Sequence, residues 1–260
     1  IYLSRNECGT CQYRSTTTHN SRGSYLHFCC YPQRYADHMA ILDIQMKVEF
    51  QRLSSKEGLR ELDLKLELDH TVLIYDPSEN LSRAILNAMV GLDEIWEGQI
   101  LIDELPLMDF LLKGPQIQSF GYVFDEGIML SNLSLKENLM LPLRWLHPDL
   151  DEDEMDGKIA AMMQSFRLDL DLSARPVRYR AGELKLLSYV RTLLIEPKVL
   201  LLDDPYYMLN KNERAVLLSV LTQLRTVYPM LIASIDEDFA VGFADQIIDL
   251  SGYSDHFYPG

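Results

Sequence analysis

The sequence has no long apolar run and an excess of acidic over basic residues, and each of these features excludes a class of protein. No uninterrupted apolar stretch approaches the roughly 18–20 residues that a transmembrane helix needs, so direct insertion into a membrane is not expected. The 24 basic residues are outnumbered by 39 acidic ones, which gives a formal net charge of −15. Because phosphate backbones demand a basic face, nucleic acid is not an expected partner.

Cysteine is absent after residue 30, and lysine is absent before Lys47. All but two of the acidic residues lie after residue 38, so the composition changes abruptly there. No charged, apolar and small-residue pattern of a secretory signal precedes the change, which predicts a protein on the cytoplasmic side. We interpret residues 1–38 as a leader outside any domain, disordered or artefactual, with Met39 as the natural start.

The four cysteines allow a second interpretation of the leader. Cys8 and Cys11, followed by His27 or by Cys29 and Cys30, have the ligand types of a zinc knuckle. Adjacent cysteines are an awkward ligand pair, and few aliphatic residues are available to pack around a metal. We therefore predict no metal site.

The body of the chain has the length and apolar content of one sizeable α/β domain over residues 39–251, with a tail at 252–260. Residues 44–50 and 62–68 alternate apolar and polar side chains, the period of half-buried antiparallel strands. The run 71–75 is continuously apolar, which is typical of a strand buried on both faces of a parallel sheet. Further predicted strands are 98–102, 230–235 and 246–250, and predicted helices are 82–90, 151–166 and one that follows Asn210 and ends at about 226.

Residues 178–210 contain the most specific pattern. The apolar strand Val199–Leu202 leads into Asp203 and Asp204, and a helix-like segment opened by Arg180-Ala181-Gly182-Glu183 precedes it. Order and spacing resemble the signature helix, Walker B strand and D-loop of an ABC-transporter ATPase. The resemblance extends over roughly residues 44–250. It implies a three-layer α/β sandwich with an N-terminal antiparallel β-subdomain and a helical subdomain at about 128–190.

One segment resembles a particular branch of this family. Residues 119–127 read like the strand that leads into the Q-loop, and Phe124 stands three residues before Gly127. Residues 130–145 resemble the start of the family's helical subdomain. The similarity is nearest to the ATPases of Mla/MCE-type lipid transporters, which implies a lipid cargo.

The phosphate loop, which the resemblance locates between Asp76 and Arg83, departs from the family pattern. A working loop has two glycines that let backbone N–H groups surround the phosphates, a lysine for their charge and a hydroxyl for Mg²⁺. Asp76 and Leu81 replace the glycines, Ser82 replaces the lysine, and Arg83 replaces the hydroxyl. The remaining, vestigial loop residues are Pro77, Ser78, Ser82 and Arg83.

Other nucleotide-site positions differ as well. Asp125 stands for the Q-loop glutamine, Ile235 stands for the switch histidine, and Gly182 alone keeps its place in the signature. Asp203 keeps the Walker B position, with Asp204 as a shortened catalytic glutamate. Since phosphoryl transfer depends on positioning and charge neutralisation, we predict a pseudo-ATPase that is not an enzyme and takes no cofactor. The alternative is slow turnover, with ATP and Mg²⁺ at a composite site to which Asp203 and Asp204 contribute.

The resemblance also implies partners at the cytoplasmic face of the inner membrane. A permease subunit would occupy a groove that we assign to Glu126, Gly127, Met129, Leu130, Leu139 and Met140. A second ATPase subunit, or a second copy of this chain, would contact Arg180, Tyr206 and Tyr207. A soluble protein-docking module with the same fold is the remaining alternative.

Overall fold

The computed structural model describes residues 45–77, 80–112, 119–236 and 242–251. The predicted leader and tail, the cysteines and Ser78 lie outside these ranges. The elements in chain order are β1 (Met46–Ser55), β2 (Leu62–Leu68), β3 (Thr71–Tyr75), α1 (Asn80–Met89), β4 (Ile95–Ile102), β5 (Leu105–Pro106), α2 (Leu107–Leu112), β6 (Phe120–Val123), α3 (Leu135–Leu146), α4 (Glu152–Ser165), a 3-10 turn (Pro176–Arg178), α5 (Ala181–Leu193), β7 (Val199–Asp203), α6 (Lys211–Leu224), β8 (Met230–Ser234) and β9 (Gln246–Asp249).

Strands β2, β1, β4 and β5 form an antiparallel sheet in that order. β1 is longer than predicted because a bulge lets it continue past Phe50. At the bulge Arg52 has φ 46°, and Gly98 of β4 has φ 80°. A Cβ on Gly98 would lie 2.3 Å from the carbonyl oxygen of Gln51, so only glycine fits there. β4 begins before this glycine, at Ile95, and not at the predicted residue 98.

Strands β6, β7, β8, β3 and β9 form a second sheet in that order, and every neighbouring pair is parallel. All five residues of β7 are buried. Because successive side chains in a strand point to opposite faces, Leu200 and Leu202 lie in one apolar cluster while Val199 and Leu201 lie in the other. The continuous apolar runs in the sequence thus reflect burial on both faces, as predicted.

The two clusters define three layers. One cluster joins the parallel sheet to α3, α4, α5 and α6, and the other joins it to α1 and the antiparallel sheet. This is the predicted three-layer α/β architecture. Asp151 caps α4 and Asn210 caps α6 through capping boxes, which confirms both predicted helix starts. The helical subdomain boundaries of about 128–190 remain a prediction. Among the described residues, no helix is both long enough and apolar enough to span a bilayer.

Candidate functional site

The candidate site lies at the edge where the parallel strands β3, β6, β7 and β8 reach their carboxyl ends. In open α/β sheets, ligands bind outside this edge. Asp76, Asp125 and Asp204 follow the ends of three of these strands, and Asp203 is the last residue of β7. The fold therefore places at one edge four carboxylates from three segments that are far apart in the sequence.

A guanidinium lies between two of these carboxylates. Arg83 on α1 places Nη2 2.7 Å from Asp125 Oδ2 and Nε 2.9 Å from Asp203 Oδ2. The Asp203 side chain is 5% exposed and that of Arg83 is 38% exposed. Burial raises the pKa of Asp203 to about 6, and the charge of Arg83 counteracts part of that rise. The predicted positions Arg83, Asp125 and Asp203 thus form one ion-pair cluster.

Asp76 follows β3 and precedes α1, and its side chain contacts the first turn of that helix. Its Oδ2 accepts the backbone N–H groups of Leu81 at 2.8 Å and Ser82 at 3.1 Å, and the residue is fully buried. A carboxylate that accepts these N–H groups satisfies donors that would otherwise lack a partner at a helix start. The Ser82 side chain is also buried, and Pro77 lies in the turn before the helix.

These contacts decide how the loop fits a nucleotide with Mg²⁺. The N–H groups of Leu81 and Ser82, which would face a phosphate, donate to the Asp76 carboxylate instead. The guanidinium of Arg83 lies against the carboxylates that would face a cation. As folded, the site does not fit a phosphate chain, and a nucleotide would have to displace both side chains.

Asp204 and Ile235 lie beside this cluster. Asp204 has φ 34° and donates its N–H to the carbonyl of Ala233 at 2.8 Å, while the Ser234 hydroxyl lies 3.5 Å from Asp204 Oδ1. Ile235, at the predicted switch position, follows β8 and is partly exposed. An aliphatic side chain at this position offers no hydrogen bond to a ligand.

Sequence reasoning missed Lys185 of α5. It is fully buried, and its Nζ donates to the carbonyls of Phe124 at 2.5 Å, Asp203 at 3.0 Å and Asp204 at 3.3 Å. Burial lowers the pKa of Lys185 to about 8. The sequence feature that could have revealed Lys185 is a lysine between Leu184 and Leu186, within an otherwise apolar part of a helix.

The predicted dimer-facing residues form contacts within the chain. Arg180 Nη2 lies 3.2 Å from Glu183 Oε1 and 3.5 Å from Glu213 Oε1, while its side chain is 71% exposed. A Cβ on Gly182 would lie 2.2 Å from Glu213 Oε2, so a side chain there would require the Glu213 carboxylate to move.

Two tyrosines lie in the loop after β7. Arg214 lies over the ring of Tyr206, 5.1 Å from its centroid, and Tyr207 is exposed. The assignment of Arg180, Tyr206 and Tyr207 to a subunit interface stays a prediction.

The predicted groove residues divide into a core set and a surface set. Leu139 and Met140 are 0% and 2% exposed and pack in the core, so their assignment to an open groove is corrected. Helix α3 has apolar residues on both its buried and its exposed face, so the spacing of apolar residues in the sequence does not show which of them are buried. Glu126 and Leu130 are exposed, and Gly127 and Met129 are half-buried.

Other apolar side chains extend this surface. Ile128, Leu130, Leu141 and Trp145 are between 47% and 66% exposed, and we call these four residues the apolar rim. The buried side chain of Asn138 accepts the N–H of Leu130 at 2.7 Å and donates to its carbonyl at 3.1 Å. Asn138 thereby holds the loop that carries Leu130 against α3.

Comparison with known proteins relates this geometry to a family. The ABC transporter family matches residues 84–207. The sulfate/thiosulfate import ATP-binding protein CysA of Bacillus cereus is 24% identical over 211 residues, which is 78% of this chain and 58% of that protein. The molybdenum import ATP-binding protein ModC of Paramagnetospirillum magneticum is 28% identical over 77% of this chain and 56% of its own length. The chain thus spans somewhat more than half of each of these relatives.

A shorter relative and a solved structure are also similar to this chain. The aliphatic sulfonates import ATP-binding protein SsuB of Bacillus anthracis is 26% identical over 79% of this chain and 78% of its own length. A dimeric ATP-binding cassette, solved in a post-hydrolysis state with ADP and Pi, superimposes with a TM-score of 0.68 at 21% identity, covering 78% of this chain and 94% of that one. This likeness confirms the predicted fold class.

The same comparisons contradict two predictions. The relatives are named as ATP-binding proteins, so the predictions that the chain is not an enzyme and takes no cofactor are wrong. Both rested on the replaced residues of the phosphate loop and of the other nucleotide-site positions, such as Asp125 and Ile235. The chain thus has the fold of an ATP-binding cassette, and its residues 84–207 match the ABC transporter family.

Proposed function

We propose that the chain is an ATP-binding subunit of an ABC-type transport assembly at the cytoplasmic face of the inner membrane. The observation that carries this proposal is the apolar rim beside the acidic sheet edge, in a chain whose relatives are named import ATP-binding proteins. Segment 124–130 connects the two regions. A partner seated on the rim would therefore contact the segment that also carries Asp125.

We infer that nucleotide binding is weak and that activity is low. A phosphate chain must compete with the Asp76 carboxylate for the N–H groups of Leu81 and Ser82. It must also separate Arg83 from Asp203 and Asp125. In this proposal Asp203 and Asp204 are the chain's contribution to a composite site, which a second subunit or a second copy completes across Arg180, Tyr206 and Tyr207.

The partner proposed for the rim is a membrane permease subunit. Its four apolar side chains are exposed and lie on α3 and on the loop that Asn138 holds against α3, and exposed apolar side chains are typical of protein interfaces. Two cargo classes are consistent with the proposal. The relatives are named for sulfate, molybdenum and sulfonate import, which favours small oxyanions, whereas the Mla/MCE resemblance of segment 119–145 suggests a lipid.

The experiment compares two substitutions in the full chain, expressed in a cell that also makes its transporter. Leu130→Asp adds a charge to the rim, while Leu218→Asp adds one to a comparably exposed position on α6. We expect Leu130→Asp to reduce recovery of the chain with the membrane fraction several-fold to a hundred-fold, or about 1–3 kcal/mol. Leu218→Asp should leave recovery unchanged. Equal recovery of both variants and the unchanged chain would remove the permease partner and leave the soluble docking module.

A further inference from the structure

Lys185 is fully buried, which is rare for a lysine side chain. The residue is 0% exposed, and lysine is almost never fully buried without polar partners. Its partners are three backbone carbonyl oxygens, those of Phe124, Asp203 and Asp204, and no side-chain oxygen is among its hydrogen-bond acceptors in the described residues. The ammonium therefore binds backbone from three positions at once.

The three carbonyls belong to the two strand ends that build the acidic edge. Phe124 follows β6 and precedes Asp125, whereas Asp203 ends β7 and Asp204 follows it. The side chains of Asp125, Asp203 and Asp204 thus each depart from a residue whose carbonyl Lys185 binds or from the residue next to it. A change in the direction of these carbonyls would turn the carboxylates.

Two backbone features show how closely these segments surround Lys185. A Cβ on Gly127 would lie 2.2 Å from the Lys185 backbone nitrogen, so the segment after Phe124 passes directly against α5. Asp204 has φ 34°, which is an uncommon conformation for a residue other than glycine. Surrounding contacts must maintain this bend, and its carbonyl is one of the three that Lys185 binds.

We propose that Lys185 is a positioning residue, whose buried ammonium fixes the backbone bends that direct Asp125, Asp203 and Asp204 into one cluster. The inference rests on the proposed function only in regarding that cluster as the nucleotide site. Arg83 reports on the cluster directly because it bridges Asp125 and Asp203. The placement of the carboxylates can therefore be measured without any nucleotide.

The test follows the Nε–H NMR resonance of Arg83 in the full chain, assigned by its loss in Arg83→Lys. Lys185→Met has a similar length and no donor, so we expect the Arg83 resonance to shift or broaden while the resonances of the antiparallel sheet stay in place. Lys185→Gln keeps donors but is shorter and reaches fewer carbonyls, so it should give a smaller shift. Lys158→Met removes a lysine that pairs with Glu196 elsewhere and should leave the Arg83 resonance unchanged.

The outcomes separate this proposal from the proposed function. An Arg83 resonance that is unchanged in Lys185→Met, in a folded chain, overturns the positioning role. So does a change spread evenly over both sheets, since that describes a residue important only for folding. If Lys185→Met does not fold, Lys185→Gln takes its place in the test. A shift of the Arg83 resonance in Lys185→Gln then supports the positioning role, and an unchanged resonance overturns it. Failure of the unchanged chain to bind Mg-ATP would contradict the proposed function and leave the positioning role intact.

Discussion

Asp76 illustrates at the residue scale how one side chain can control access to a site. Its carboxylate accepts the two N–H groups at the start of α1 and is fully buried. The same contacts stabilise the helix start and place a negative charge where the family resemblance expects phosphate. A charge of the same sign as the ligand opposes binding, and its removal should therefore favour binding.

Asp76→Asn tests this competition because it keeps an oxygen acceptor for the helix and removes the charge. We expect the affinity for Mg-ATP to rise about ten-fold, or about 1.4 kcal/mol, in isothermal titration calorimetry. Asp249→Asn changes an exposed acid at the end of β9 and serves as control. Equal affinities of the Asp76 variant and the unchanged chain would show that the carboxylate does not compete.

Arg83 supports a second residue-scale prediction, on stability. Arg83→Met leaves the buried Asp203 carboxylate without its cation, and since Arg83 is 38% exposed we expect a loss of about 1–2 kcal/mol at neutral pH. With Arg83 present, the pKa of Asp203 is about 6. The ion pair therefore exists above about pH 6 and is lost as Asp203 becomes protonated at lower pH.

The difference in unfolding free energy between Arg83→Met and the unchanged chain should accordingly shrink as the pH falls through about 6. Urea denaturation at several pH values measures it. A difference that is constant between neutral pH and pH 4 would contradict the ion-pair explanation.

At the scale of elements, local sequence signals set the helix starts. Ser134, Asp151 and Asn210 each form a capping box with the glutamate three residues later. The Asn210 box and the acidic first turn after Asp151 could be predicted because they are local. The β1 bulge could not, since it depends on Gly98 of a strand far along the chain approaching the backbone of Gln51.

Ser134→Ala should cost about 1 kcal/mol of stability, because α3 loses the oxygen that accepts the N–H of Glu137. Ser165→Ala, whose hydroxyl only bonds a carbonyl within α4, should cost less than half as much. Thermal denaturation of the two variants compares them. Equal losses would show that the cap contributes nothing specific.

The capping box of Ser134 and Glu137 also makes the stability of the fold depend on pH. Hydrogen bonds from Ser134 hold the pKa of Glu137 below its usual value of 4.5. A lowered folded-state pKa stabilises the fold above 4.5 and loses that contribution as the pH falls below it. The cost of Glu137→Gln should therefore diminish in acid, and a cost that grows there would contradict the assignment.

At the scale of the whole molecule, the layer order and the parallel sheet could be predicted, but the contacts across the acidic edge could not. Continuous apolar runs identify the strands that are buried on both faces. By contrast, Arg83 and Asp125 are 42 positions apart, and Lys185 meets carbonyls from two other segments. Local sequence patterns do not predict such tertiary contacts. The prediction that no cofactor binds came from the replaced residues at the nucleotide-site positions, and the relatives named as ATP-binding proteins contradict it.

Segment 124–130 joins the apolar rim to the acidic edge. Asp125 is in this segment and pairs with Arg83, while Leu130 is held to α3 by Asn138. A partner on the rim and a nucleotide at the edge would therefore contact the same stretch of backbone. The proposed function requires that the chain binds a nucleotide.

The most direct test is a thermal-denaturation titration of the full chain with Mg-ATP. We expect a saturable rise in the free energy of unfolding that would reach about 2.7 kcal/mol at a ligand concentration of 100 Kd. At equal ligand concentration, Asp76→Asn should show a larger rise than the unchanged chain. No saturable rise in either protein at millimolar nucleotide would contradict the assignment of this chain as an ATP-binding subunit.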